Sequence, residues 1–152
     1  DPKISNLVFD PVTGRGVCMI DLDTLAYMPL PLELGDAFRS WCNPKGENFS
    51  GAFFRLDYFA AALEGYAAVA TAATTAAEWQ SFLPATRRIM VELAARFTLD
   101  ALNESYFGWD PAAYADRSTH NQVRAAGQLA LQQSLLDQLP DAEAVVRRTF
   151  TR

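Results

Sequence analysis

Hydrophobic and polar positions alternate in two rhythms along this chain. Near the start, Leu7-Val8-Phe9 and Val17-Cys18-Met19-Ile20 are short β-prone runs. They flank Asp10-Pro11-Val12-Thr13-Gly14-Arg15-Gly16, whose proline and glycines are turn chemistry. This predicts a hairpin, the one sheet expected in the chain. The following DLDTLAYMPLPLELGD has two prolines and no clean period, and reads as an ordered loop.

From about Glu33 the period becomes helical. Leu34, Ala37, Phe38 and Trp41 predict a helix over about 33–41, stopped by Asn43-Pro44, with the loop PKGENFSG after it. Phe59, Leu63, Tyr66 and Val69 or Ala70 predict a second helix over about 56–69. Thr75 and Glu78 have capping-box spacing and start a short helix that Pro84 ends or kinks. A long helix follows from near Pro84 to about Leu102, with Met90, Leu93, Ala94 and Phe97 on its apolar face. Val123, Ala126, Leu129 and Leu135 or Leu136 mark another over about 119–138, and Pro140-Asp141 opens a last one to about Arg148. Between the long helices, NESYFGWDPAAYADRS holds too many rings for a solvated loop, so these are expected to pack on the helices or line a pocket. The predicted fold class is mainly α with one β-hairpin.

Composition narrows the function. With 152 residues, half of them hydrophobic, the chain can bury a real core as one domain or lobe. A net charge of -5 without a Lys/Arg run argues against a nucleic-acid partner. Cys18 and Cys42 form no C-x-x-C pair, so neither a zinc site nor a disulfide framework is suggested. Charged and polar residues interrupt the alanine-rich stretch before it could span a membrane. A cytoplasmic protein with no membrane partner is expected.

Chemistry concentrates at the two ends of the hairpin. Asp1, Lys3 and Asn6 stand at its entry and Asp21 and Asp23 at its exit, and an antiparallel pair returns the chain beside its start. Asn6 and Asp21 are therefore expected to be neighbours. A carboxylate and an amide oxygen there form a hard oxygen site of the kind that holds Mg²⁺ on phosphate oxygens. Asp1 adds a carboxylate that can orient a hydroxyl, and Lys3 a cation to spread phosphate charge. That is an inventory for phosphoryl transfer, and D-x-x-x-x-N matches the spacing of a kinase catalytic loop.

With DPKISNLVFD, CMIDLDT and LGDAFRS in view, the chain resembles the C-terminal lobe of the aminoglycoside phosphotransferase and choline kinase group, which has a protein-kinase-like α+β fold. It looks most like the bacterial N-acetylhexosamine 1-kinases, a similarity that continues through ARFTLDALNESYF and THNQVRAAGQLAL. The resemblance implies that residues 1–152 are one C-terminal lobe. It further implies Asp1 as the catalytic aspartate, Lys3 beside the transferred phosphate, and Asn6 and Asp21 as metal ligands, Asp21 matching the first residue of the D-F-G triplet. Asp23 stands where that triplet has its glycine. Arg96 and Tyr106 match positions that hold the sugar, Tyr106 across a one-residue gap. Glu33 and Asp36 fall in a segment that usually reads D-x-G-D, with Glu33 departing from it, and are expected to give structural support near a helix start. Arg96 has an alternative partner in Asp100 one turn on. His120, the sole histidine, reads as a cap or packed group.

The implied activity is ATP- and Mg²⁺-dependent phosphorylation of a small molecule, a hexosamine or other sugar. Aminoglycoside, choline or other small-alcohol phosphorylation is the alternative, and a non-catalytic scaffold lobe is a third. No glycine-rich loop or strand lysine occurs, so the chain is expected to work with its own N-terminal nucleotide lobe upstream and to be inactive alone.

Overall fold

A computed structural model describes residues 1–151. The hairpin pairs β1 (Leu7–Phe9) with β2 (Gly16–Met19) antiparallel, Leu7 opposite Met19 and Val8 opposite Cys18. Its turn is tied by Asp10, whose Oδ1 accepts from the Val12 and Thr13 N–H groups at 2.8 and 2.7 Å. Beyond the ladder, the Ile20 N–H donates to the Asn6 carbonyl at 2.9 Å, so the chain segments on either side of the hairpin stay side by side.

Six α-helices follow among the described residues: α1 (Leu30–Trp41), α2 (Leu56–Ala70), α3 (Ala76–Gln80), α4 (Phe82–Asn103), α5 (Arg117–Asp137) and α6 (Leu139–Phe150). The mainly helical expectation with one hairpin is met. α1 starts three residues before the predicted boundary, because Pro31 at its first turn supplies a φ suited to a helix and gives up an N–H that needs no partner there. For the same reason Pro84 lies inside the first turn of α4, while α3 already ends at Gln80. The capping box is formed: Thr75 accepts from the Glu78 N–H, and the Glu78 carboxylate accepts from the Thr75 N–H at 2.7 Å.

Aromatic rings fill the core between α1, α2 and α4. Phe38 is fully buried, with Phe59 and Phe82 packed edge-on at centroid distances of 4.9 and 6.1 Å. Met90, Leu131 and Leu135 extend this core, and α6 closes it with Ala142, Val145 and Val146. One predicted face is wrong. On α5, Ala126 and Leu129 are exposed, whereas Asn121, Ala125, Gln128, Leu131 and Leu135 are buried. The helix turns two amides inward, so apolar periodicity alone misplaces its buried face.

Two glycines let backbones meet where the site is built. A Cβ on Gly35 would stand 2.9 Å from the Ala85 carbonyl carbon and the Thr86 nitrogen, so α1 and α4 touch at that point. A Cβ on Gly127 would stand 2.5 Å from the Phe49 carbonyl oxygen, which brings the loop after α1 against α5. Among the described residues, no helix is long and apolar enough to cross a membrane.

Candidate functional site

The first residues are pinned to the end of α1. The Trp41 indole donates to the Pro2 carbonyl at 2.6 Å, and the Ile4 N–H donates to Ser40 Oγ at 3.0 Å. A single 3-10 turn, Ile4–Asn6, then feeds β1. Asn6 is buried, and its Nδ2 donates to the Asp1 carbonyl at 2.9 Å. Lys3 Nζ lies 3.7 Å from Asp1 Oδ2, a part-exposed pair of the type worth little for stability.

Across the hairpin, Asp21 has a left-handed φ of 59°, a conformation uncommon for residues other than glycine and tolerated by aspartate. It is exposed, and its carboxylate has no hydrogen bond or ion pair among the described residues. The Ile20–Asn6 backbone contact places it beside the Asn6 segment. The Asn6 nitrogen is spent on Asp1, and its Oδ1 accepts one long contact, from Ser5 Oγ at 3.5 Å, so a lone pair of that oxygen is left for another ligand. No group of three His, Cys, Asp or Glu gathers among the described residues. Mg²⁺ asks only one or two protein oxygens when phosphates and water complete its shell, so an amide and a free carboxylate suit it.

A groove of about 1040 Å³ opens between α1, α4 and the loop after α4. Asp1 and Lys3 line it, as do Glu33 and Asp36 from α1, Arg96 from α4, and Tyr106. Asn6 and Asp21 lie outside this lining. Glu33 falls in the first turn of α1, and Asp36 a turn further on. Asp36 Oδ1 accepts from Arg39 Nε at 2.8 Å, and the buried Arg39 reaches Glu47 Oε1 at 2.6 Å with its Nη1. Arg39 thereby ties α1 to the loop that follows it, with Asp36 holding its guanidinium, whereas Glu33 has no ion pair among the described residues.

Asp100 is not the partner of Arg96. Its buried carboxylate accepts from the Ser105, Tyr106 and Phe107 N–H groups at 2.9, 2.7 and 2.9 Å, and from Asn121 Nδ2 at 2.9 Å. Burial alone would raise this carboxyl; the four donors outweigh it and hold the pKa at about 2. Glu104, in the left-handed conformation at the end of α4, turns the chain so that these N–H groups converge. The loop so fixed sets Tyr106 and Phe107 beside Arg96, whose guanidinium carbon is 5.6 and 5.5 Å from the two ring centroids. Tyr106 is 72% exposed, Phe107 packs on Phe97, and Trp109 also lines the groove.

The far end of the groove is held by His120, which is packed rather than capping: Asp116 caps α5. The His120 ring stacks on Tyr114 at 3.9 Å, its Nδ1 accepts from the Asp110 N–H at 3.2 Å, and its Nε2 meets Asn48 Oδ1 at 2.8 Å. Burial and the Arg124 charge push its pKa below the ordinary value, with Asp110 opposing. The neutral ring, protonated on Nε2, satisfies both contacts. Asn48 Oδ1 also accepts from Arg124 Nε at 2.8 Å. Pattern reading misses Asn48, Asn121 and Arg124, and gives Asp100 the wrong partner. The D-x-x-N-E-S run after Asp100 was the available signal for the capped turn.

The geometry places an aspartate, a lysine and an amide on one pinned loop, with a free carboxylate across a hairpin. Residues 1–71 match the family model described as Phosphotransferase enzyme family. That span is just under half of the chain. It holds the hairpin, α1 and α2, and with them Asp1, Lys3, Asn6, Asp21, Glu33 and Asp36. The similarity to phosphotransferases thus covers the loop, the hairpin and the first two helices, and does not extend to Arg96 and Tyr106.

Proposed function

We propose that this chain is the substrate- and metal-binding lobe of an ATP-dependent small-molecule kinase that phosphorylates a sugar hydroxyl. N-acetylhexosamine 1-phosphorylation is the reaction it fits best. The observation that carries this reading is the shared groove. Asp1 and Lys3, from the segment similar to phosphotransferases, line the same cavity as Arg96 and Tyr106, from a distant stretch of chain.

Asp1 orients the sugar hydroxyl and receives its proton as the hydroxyl oxygen bonds to the γ-phosphorus and the bond to the β-phosphate oxygen breaks, releasing ADP. Lys3 offsets charge on the phosphoryl oxygens. Asn6 and Asp21 would hold Mg²⁺, which would supply charge neutralisation for the nucleotide phosphates. Arg96 and Tyr106 hold the sugar, the exposed ring offering a face and the guanidinium its donors. Positioning and charge neutralisation carry most of the rate, since little covalent help is needed.

The nucleotide lobe of the parent chain would sit on the hairpin. Phe9, Val17, Met19 and Ile20 are exposed there, apolar side chains that a docked lobe would cover. A second reading, an amine-bearing alcohol such as an aminoglycoside, is favoured by Glu33 and Glu92, which line the groove without ion pairs among the described residues. A screen of the full-length protein with ATP, Mg²⁺ and a panel of hexosamines, hexoses, aminoglycosides and amino alcohols separates the two. A hexosamine 1-phosphate identified by NMR supports the first reading; turnover confined to aminoglycosides and amino alcohols overturns it.

A further inference from the structure

A second cavity, of about 380 Å³, lies between α3, α4 and α6 and shares no lining residue with the groove. Its walls are largely apolar, with Trp79, Leu83, Leu139 and Val146. Trp79 is held by a parallel stack on Phe150, with centroids 6.1 Å apart and planes 4° apart. Two arginines, Arg87 and Arg147, line it together with one acid, Glu143. The charge at this cavity is therefore net positive, and Glu143 is already engaged by Arg147 at 3.5 Å.

Arg87 is the informative residue. Its Nε is buried and has no hydrogen-bond partner. A guanidinium keeps its proton under all ordinary conditions, so this N–H cannot be relieved by titration. Buried donors are nearly always paired, and one that is not points to an absent ion, water or ligand. The edge of a guanidinium that carries Nε fits a carboxylate through two parallel hydrogen bonds. The volume suits a small organic ligand.

We infer that this cavity is a second ligand site, which takes a small aromatic or aliphatic carboxylate: the acid group lies on Arg87, the one lining cation not paired with Glu143, and the apolar body lies against Trp79, Leu83 and Val146. The site is independent of the phosphotransfer reading, since it uses none of the same residues. It places a bound acid on the same helix that carries Arg96, about two turns away.

The test is a fluorine NMR titration of the full-length protein with 4-fluorobenzoate, alongside its neutral counterpart 4-fluorobenzyl alcohol. The acid is expected to bind saturably, with Kd on the order of 1–10 mM for so small a molecule. It should move the Trp79 indole N–H resonance, and should bind about tenfold more weakly to Arg87→Gln. The alcohol is expected to bind Arg87→Gln and the unaltered protein alike. Equal affinity of the acid for both proteins, a Trp79 resonance that stays in place, or no saturable binding would each overturn the assignment. Displacement of the acid by a groove substrate would overturn it as well, by placing the acid in the other cavity.

Discussion

The Asn6 side chain donates to the Asp1 backbone carbonyl across 2.9 Å, so one contact fixes the residue proposed to orient the hydroxyl to the residue proposed to hold the metal. Replacing that amide by a carboxylate keeps an oxygen and removes the donor. Asn6→Asp is therefore expected to destabilise the protein by about 1–3 kcal/mol, by losing this hydrogen bond and setting a charged carboxylate at a buried position. Urea melts of the two proteins measure it, and equal midpoints would show that the contact holds nothing.

Asp100 is expected to act on the groove without touching a substrate, by gathering the Ser105, Tyr106 and Phe107 amides. In Asp100→Asn, those three amides should exchange hydrogen at least about tenfold faster, while amides in the middle of α4 keep their protection. Because the folded carboxyl sits at about 2 against an ordinary 3.8, its stabilisation is complete above pH 3.8 and is lost as pH falls toward 2. The difference in melting temperature between Asp100→Asn and the unaltered protein should shrink over that window.

His120 carries the opposite kind of group with the same sign. Its folded pKa lies below the ordinary 6.5, so the unfolded chain binds the proton more readily. Stability is full above 6.5 and declines as pH falls through it. As the chain has one histidine, its imidazole C–H resonances can be titrated without ambiguity, and the midpoint should fall below 6.5. His120→Gln should flatten the fall in melting temperature between about pH 7 and pH 5. A midpoint above 6.5 would contradict the buried, neutral ring.

Gly35 sets the separation of the groove's two walls. Its missing Cβ would meet backbone atoms of Ala85 and Thr86, which cannot rotate aside, so Gly35→Ala must push α1 from α4. A loss of about 1–3 kcal/mol is expected. Since Glu33 rides on one helix and Arg96 on the other, KM for the sugar should rise more than kcat falls. Steady-state kinetics at 25 °C, below the variant's melting range, give both numbers.

Legibility followed what each residue is asked to do. α1 and α4 were readable because Phe38, Met90 and Phe97 are apolar, buried and spaced for a helix. α5 was readable as a helix but not as a face, because Asn121 and Gln128 are buried amides and Leu129 is exposed. Asn121 goes inward to reach the Asp100 carboxylate, a contact between helices that spacing along one helix does not encode. The return of the Ile20 segment beside Asn6 was visible because a hairpin's return is a local property. The turn that carries Tyr106 was not, because it depends on three amides converging on a residue that looked like an ordinary helix-surface acid.

The central claim is that Asp1 acts on a sugar hydroxyl in the groove. Phosphate transfer from ATP to N-acetylhexosamine by the full-length protein, followed by phosphorus NMR for the unaltered protein and Asp1→Asn, tests it most directly. The account predicts a sugar 1-phosphate from the unaltered protein, and a rate lower by about 10²–10⁴ in Asp1→Asn with an unchanged melting temperature. Turnover of Asp1→Asn within a few-fold of the unaltered rate would contradict it.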